Sequence, residues 1–260
     1  MLRVVVCLLL PGLYSTVESG ASEAQERALP PTSAIQLGYS QVFITQLDEL
    51  VSPLRYTGSS SLFRIGFERR GDSRVGISAG YVRPRLTSTI SRDGRNEESG
   101  LRVEASIWYL RALRRFGENR LTLRGGGQIG VHFATWKHVY AERAEGSYFR
   151  GIGLIQAAGE MTYRFRSGRI LEYRVAIPVV GLGLGTSYDG SNDVTAPKLQ
   201  GPWDVRGFDQ AVTLGIPLSE GICLLFDYHF SYFRYPDPME FSVAKDRFGI
   251  SLEKRVGGRG

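Results

Sequence analysis

The stretch Arg120-Leu121-Thr122-Leu123-Arg124-Gly125-Gly126-Gly127-Gln128-Ile129-Gly130-Val131-His132-Phe133-Ala134-Thr135-Trp136 decides the fold. Its odd positions from 121 to 133 read Leu, Leu, Gly, Gly, Ile, Val and Phe, while Arg120, Thr122, Arg124, Gln128 and His132 fall on even ones. A period of two sustained over this length is a strand with one apolar and one polar face. A helix would set Arg124 and Gln128 on faces shared with Leu121 and Val131.

The same pattern recurs on both sides. Leu101, Val103, Ala105, Ile107 and Tyr109 alternate with Arg102, Glu104, Ser106 and Trp108. Ile155 to Phe165 alternates with Gln156, Glu160, Thr162 and Arg164, and Leu171 to Val179 with Glu172 and Arg174. Ile222, Leu224, Phe226, Tyr228, Phe230 and Tyr232 alternate with Asp227, His229 and Ser231. Weaker runs cover 35–43, 62–70, 74–83, 206–217 and 241–256. The apolar faces of the stronger runs carry no charge, although 22% of the chain is charged. The reading is an all-β, antiparallel, up-and-down transmembrane barrel of about ten strands, with eight or twelve as the neighbouring counts.

Connection lengths support it. Short turns at 71–73, 117–119, 167–169 and 219–221 alternate with long polar connections at 44–58, 84–100, 138–150, 185–205 and 235–240. Barrels of the outer membrane have tight periplasmic turns and long outer loops. Phe67, Phe116, Tyr163, Phe165 and Tyr173 gather near the short turns, and Phe43, Tyr81, Phe133 and Tyr232 near the long loops. Two aromatic girdles are thereby expected at the headgroup levels. No apolar run approaches the ~18 residues of a spanning helix.

The domain plan follows. Met1-Leu2-Arg3, the apolar run Val4–Leu10 and the small residues around Ser19–Ala21 read as a signal peptide over 1–21. Residues 22–33, ending near Pro30-Pro31, read as a flexible leader, 34–256 as the barrel and 257–260 as a tail. After cleavage Cys223 is the one remaining cysteine, which excludes an internal disulfide and a cysteine-based metal site. The competing architecture is a soluble sandwich or lipocalin-like barrel, in which the apolar face points inward.

Over about residues 34–256 the chain resembles the small single-domain outer-membrane β-barrel proteins of Gram-negative bacteria, with the segment Ser52-Pro53-Leu54-Arg55-Tyr56-Thr57-Gly58 similar to their first loops. The resemblance implies residence in the outer membrane, contact with its lipids and insertion by the barrel assembly machinery. That machinery commonly reads a terminal aromatic. Here the last strand ends near Val256, with Phe248 on its outward face, before Gly257-Gly258-Arg259-Gly260.

The polar faces form an expected lumen network: Arg64, Glu68, Arg102, Glu104, Arg124, Glu160, Arg164, Glu172, Arg174 and Asp227, joined by Arg74, Arg120, Arg247, Asp209 and Glu253. Both signs are nearly balanced. In a narrow barrel such side chains make an ionic plug, whereas a selective pore wants an excess of one sign. The net charge of +6 and pI of 9.4 come mainly from elsewhere. Arg69-Arg70, Arg114-Arg115 and Lys254-Arg255 cluster near the short turns, suited to anionic headgroups or to a solvated rim. Without a helix or an aromatic platform, nucleic acid is no expected partner.

No catalytic set, metal site or cofactor is expected. His132, His138 and His229 lack ligand spacing, and Gly125-Gly126-Gly127 precedes no helix. The alternative is an outer-membrane hydrolase. His229 and Ser231 share a strand face, and Glu240 follows as a carboxylate to orient the histidine. His229-Phe230-Ser231 is similar to the His-x-Ser of outer-membrane lipid A deacylases, but Tyr232-Phe233-Arg234 lacks that motif's asparagine, and the face is the polar one. Ten strands also resemble the omptin proteases. Their paired Asp residues and Asp-His pair find no counterpart, because His138 sits at a loop edge and Asp189 and Asp193 in another loop. The expected role is structural, surface-interacting or that of a narrow channel. The loops 84–100 and 185–205 are the natural surface for a ligand, with Tyr188 and Trp203 as anchors.

Overall fold

A computed structural model describes residues 32–48, 52–88, 96–140, 143–185, 197–235 and 241–256. The strands are β1 (Thr32–Asp48), β2 (Ser52–Arg70), β3 (Ser73–Val82), β4 (Arg85–Ser88), β5 (Glu97–Phe116), β6 (Leu121–Tyr140), β7 (Arg143–Arg164), β8 (Ile170–Gly185), β9 (Lys198–Gln200), β10 (Arg206–Ser219), β11 (Ile222–Tyr235) and β12 (Phe241–Val256). Neighbours pair antiparallel around the ring, and β1 pairs with both β2 and β12, so the sheet closes. Two of the ten barrel positions are broken strands. β3 and β4 both lie between β2 and β5, interrupted at Arg83-Pro84, where proline offers no donor to the ladder. β9 and β10 both lie against β8, interrupted by the turn 201–205.

The apolar faces point outward. Ile35, Leu37, Ile65, Ile77, Ile107, Ile129, Ile155, Ile177, Ile250 and Leu252 are all exposed, while Glu68, Arg74, Arg124, Glu160 and Glu253 are buried inside. A closed ladder satisfies the backbone between strands, so this surface is stable in hydrocarbon and unstable in water. Aromatic girdles flank it. Tyr39, Phe63 and Tyr81 pack side by side with centroids 5.3 and 5.6 Å apart, Tyr163 meets Phe165 edge-on at 4.8 Å, and Phe133 stacks on Phe149 at 5.9 Å.

The short turns fall where expected, with Gly168 (φ 79°) and Gly221 (φ 81°) supplying left-handed conformations. Arg120, expected in the lumen, belongs to a turn instead: its N–H bonds the Gly117 carbonyl and its own carbonyl accepts from Arg164 N–H. The first strand begins at Thr32, two residues inside the expected leader. The expected signal peptide over 1–21, residues 22–31 of the expected leader and the expected tail over 257–260 lie outside the described residues.

The long connections need correction. Most of 44–58 and 138–150, and both ends of 84–100, are strand. β7 has 22 residues, roughly 70 Å of extended chain. Even tilted at about 45° it outruns the ~30 Å hydrocarbon core. The barrel therefore continues beyond the membrane as a collar on the loop side. There the outer face turns polar, with Arg55, Thr135 and Lys137 exposed, and the inner face turns apolar. Val42, Ile44, Tyr56, Leu86, Trp136, Tyr148, Phe233, Tyr235, Phe241 and Val243 form a buried core inside the collar.

Candidate functional site

From the short-turn end upward, the lumen has three levels. The first is an ionic cluster. β2, β3, β6, β7, β8 and β12 each aim alternate residues inward close to a turn, which brings charges from distant parts of the chain together. Glu160 on β7 accepts from Arg74 (2.6 Å), Arg124 (3.0 Å), Arg174 (3.0 Å) and Thr162 (3.2 Å). Arg74 also donates to Glu172 (2.9 Å) and through Nε and Nη2 to Glu68. Arg70 reaches Glu68 (2.6 Å) and grips Glu253 through both terminal nitrogens (2.9 and 2.8 Å). Gln36 donates to Glu253 as well (3.0 Å). Buried carboxylates remain charged only when so fully paired. Above the cluster Trp108 crosses the lumen beneath the Arg174 guanidinium, 4.8 Å from its ring. It fits because Gly76 opposite has no side chain: a Cβ there would lie 2.2 Å from the indole.

The second level is a polar chamber of about 170 Å³. Arg64 donates to Asp227 (3.1 Å), Lys245 pairs with Glu104, and His229 Nε2 lies 2.5 Å from Asp209 Oδ1. His132 Nδ1 stands 3.8 Å from Glu104. Ser231 Oγ and Asp227 Oδ2 are buried there without a hydrogen-bond partner among the described residues. In the wall beside this chamber the ladder lapses. β10 pairs with β8 up to Asp209–Ala176, and pairing resumes with β9 at Gln200–Gly181. Between them the 201–205 turn buries Val205 inward and leaves Trp203 87% exposed.

The third level is the collar core, which encloses a small polar network. Glu98, fully buried, accepts from Gln46 (3.2 Å) and Tyr148 (3.0 Å), with His138 Nδ1 at 3.7 Å. Arg102 donates to Gln46 and stacks on Trp136, 4.1 Å from the ring centroid.

Measured against the expected network, Glu68, Arg124, Glu160, Glu172 and Arg174 meet in the first level, and Arg64, Glu104 and Asp227 line the second. Arg102 belongs to the collar. Arg164 lines the short-turn mouth, and its guanidinium forms no hydrogen bond or ion pair with any described residue. Three charged participants were not foreseen. Arg70 looked like half of a rim pair, though period two sends Arg69 outward and Arg70 inward. Lys245 lies in a weakly alternating run, and Glu98 in a segment read as loop.

The hydrolase set is not assembled. His229 bonds Asp209 rather than Ser231, and Glu240 lies outside the described residues. His138, read as a loop-edge residue, is buried in the collar against Tyr56 (3.4 Å). Asp189, Asp193 and Tyr188 lie outside the described residues. No group of three or more potential metal ligands occurs among the described residues.

No protein-family model matches the chain, and no curated protein matches it in sequence. Its fold is similar to that of solved outer-membrane barrels. The outer membrane protease OmpT of Escherichia coli aligns with a TM-score of 0.53 and 10% identity over 89% of this chain and 98% of that one. The toluene transporter TodX of Pseudomonas putida aligns at 0.39 and 9% identity, covering 88% and 91%. The translocator domain of the autotransporter NalP of Neisseria meningitidis aligns at 0.42 and 11%, covering 85% and 88%. At such identity the OmpT likeness speaks for the fold alone. A closed antiparallel barrel with an apolar belt between aromatic girdles is an outer-membrane architecture, and that belt places the chain in the outer membrane.

Proposed function

We propose that the chain is a sealed outer-membrane barrel whose working surface is the collar on the loop side, a structural and surface-interaction protein rather than a conduit. The observation that supports this reading is the filling of the lumen at two separate levels, by the Glu160 cluster near the short turns and by the apolar core of the collar. A solute path needs a continuous wet route with exchangeable sites along it. Here a solute would have to part buried, multiply bonded ion pairs and then cross a hydrocarbon-like core. β4 and β8 both end on the collar side, so the chain that follows each leaves from where a surface ligand would meet the protein first. Planar-bilayer recordings on the purified protein test the reading. A silent membrane is expected, and well-resolved conductance steps would sink it.

One observation favours a second reading, a hydrolase. The Asp209–His229 pair stands in a chamber that also holds the unpartnered Ser231 hydroxyl, next to the lapse in the barrel wall. An acid-oriented histidine near a free hydroxyl is the groundwork of a nucleophilic site. Ser231→Ala with lipid A and phospholipid species profiled by mass spectrometry decides it: a changed profile supports the hydrolase, an unchanged one removes it.

A further inference from the structure

We infer that the short-turn mouth of the barrel is a binding site for a phosphate-bearing anion presented from the periplasmic side. A cavity of about 170 Å³ opens there, below the central chamber, with Arg74 and Glu172 in the lining of both. Arg70, Arg74, Arg124, Arg164 and Arg255 line it, against one carboxylate, Glu172, with the Thr162 hydroxyl among them. The deeper Glu68, Glu160 and Glu253 neutralise part of this charge. With Arg174 sharing Glu160, the cations of the region still exceed its carboxylates by two.

Two side chains show where that excess lies. The Arg164 guanidinium forms no hydrogen bond or ion pair with any described residue. Arg124, buried, holds Glu160 and Thr162 through one terminal nitrogen while its Nε has no hydrogen-bond partner among the described residues. Guanidiniums crowded without counter-charge repel one another, so the arrangement is stabilised by an anion that accepts several N–H bonds at once. A carboxylate supplies one charge. A phosphate monoester supplies about 1.5 to 2 at neutral pH and three acceptor oxygens, which matches the surplus. The lining faces the lumen, not the lipid, which favours a soluble phosphorylated solute over a headgroup of the inner leaflet.

The test uses the full-length protein purified from outer membranes. In a neutral maltoside micelle, glycerol 3-phosphate is titrated by calorimetry. In parallel, the protein in phosphatidylglycerol or phosphatidylcholine nanodiscs is examined by native mass spectrometry for retained lipid. Saturable one-to-one binding of glycerol 3-phosphate is expected, weakened about tenfold or more in Arg164→Gln, the equivalent of one charge-assisted hydrogen bond. Arg164→Lys keeps most of the affinity, and Arg169→Gln, exposed outside the cavity, keeps all of it. Heat-modifiability gels confirm that each variant is folded. Retention of phosphatidylglycerol alone, lost in Arg164→Gln, supports the site with a headgroup as its source. Absence of saturable binding in both arms, or binding indifferent to Arg164→Gln in a folded protein, overturns the proposal.

Discussion

The membrane-embedded half of the barrel and the collar above it use the same strands with opposite sidedness. On β12 the outward residues Leu252, Ile250 and Phe248 give way to Asp246 and Ser242, while inward Glu253 and Arg247 give way to Val243 and Phe241. On β1 outward Ile35, Leu37 and Tyr39 face lipid around Gln36 and Ser40, and higher up Val42 and Ile44 turn inward beneath Thr45. The backbone period never changes. What changes is the solvent outside. Hydrocarbon favours apolar side chains and tolerates charges only where they neutralise one another in the lumen. Water favours the reverse, and the collar buries its apolar residues like any soluble barrel. The lesson is that alternation reports a strand, whereas the phase of the alternation reports which solvent surrounds it.

The largest effects come from breaking each interior in its own currency. In the membrane half, Glu160→Ala leaves Arg74, Arg124 and Arg174 without their shared acceptor. Removing one partner of a buried ion cluster costs about 3–5 kcal/mol. The loss is read from urea unfolding in micelles, and a change below about 1 kcal/mol would mean that water already solvates the cluster. In the collar the matching substitution is Leu86→Ala, fully buried among apolar neighbours. A cavity of that kind costs about 3 kcal/mol. If Leu86→Ala is neutral, the collar has no packed core and the contrast fails.

These two halves differ in how much of them the sequence disclosed. Strand identity, ring order and the lumen charges of the membrane half followed from period two and turn spacing, because lipid imposes an uncharged outer face. Much of the collar was read as loop because its polar outer residues, such as Thr45 and Arg55, look like loop composition when the inner partner is not traced. The signal was present in Ala134, Trp136 and Phe133, where apolar residues cross to the other face. For the site, the sequence named most of the charges but not their partners. Glu160 meets Arg74 across 86 positions, and Arg64 meets Asp227 across 163, separations that only ring closure brings together. Choosing Asp209 rather than Ser231 as the partner of His229 likewise depends on the pairing of β10 with β11.

A third experiment sharpens the boundary along a single strand. Ile129 and Thr135 both face outward on β6, on either side of the Phe133 girdle. Ile129→Arg places a charge in lipid and costs about 2 kcal/mol. Thr135→Arg meets water and changes stability by less than about 0.5 kcal/mol. Unfolding of both variants in phospholipid vesicles measures the difference. Equal costs would place the lipid boundary elsewhere and remove the collar from the water phase.

The smallest effect asks whether the polar network inside the collar is stabilising or merely tolerated. Tyr148 donates its hydroxyl proton to Glu98, which is fully buried and has Gln46 as another donor. Tyr148→Phe keeps the ring and its stacking on Trp136, at 6.5 Å between centroids, and removes one hydrogen bond to a buried charge. Such a bond contributes about 1.5 kcal/mol or somewhat more, because Glu98 has no water to turn to. The control is Tyr39→Phe, whose hydroxyl meets Ser61 at 2.7 Å on the exposed outer face. Its loss is expected to stay within about 0.5 kcal/mol, since solvent at the headgroup level replaces the partner. A Tyr148→Phe barrel as stable as the wild type would mean that water reaches Glu98, and that the collar interior is wetter than its apolar lining implies.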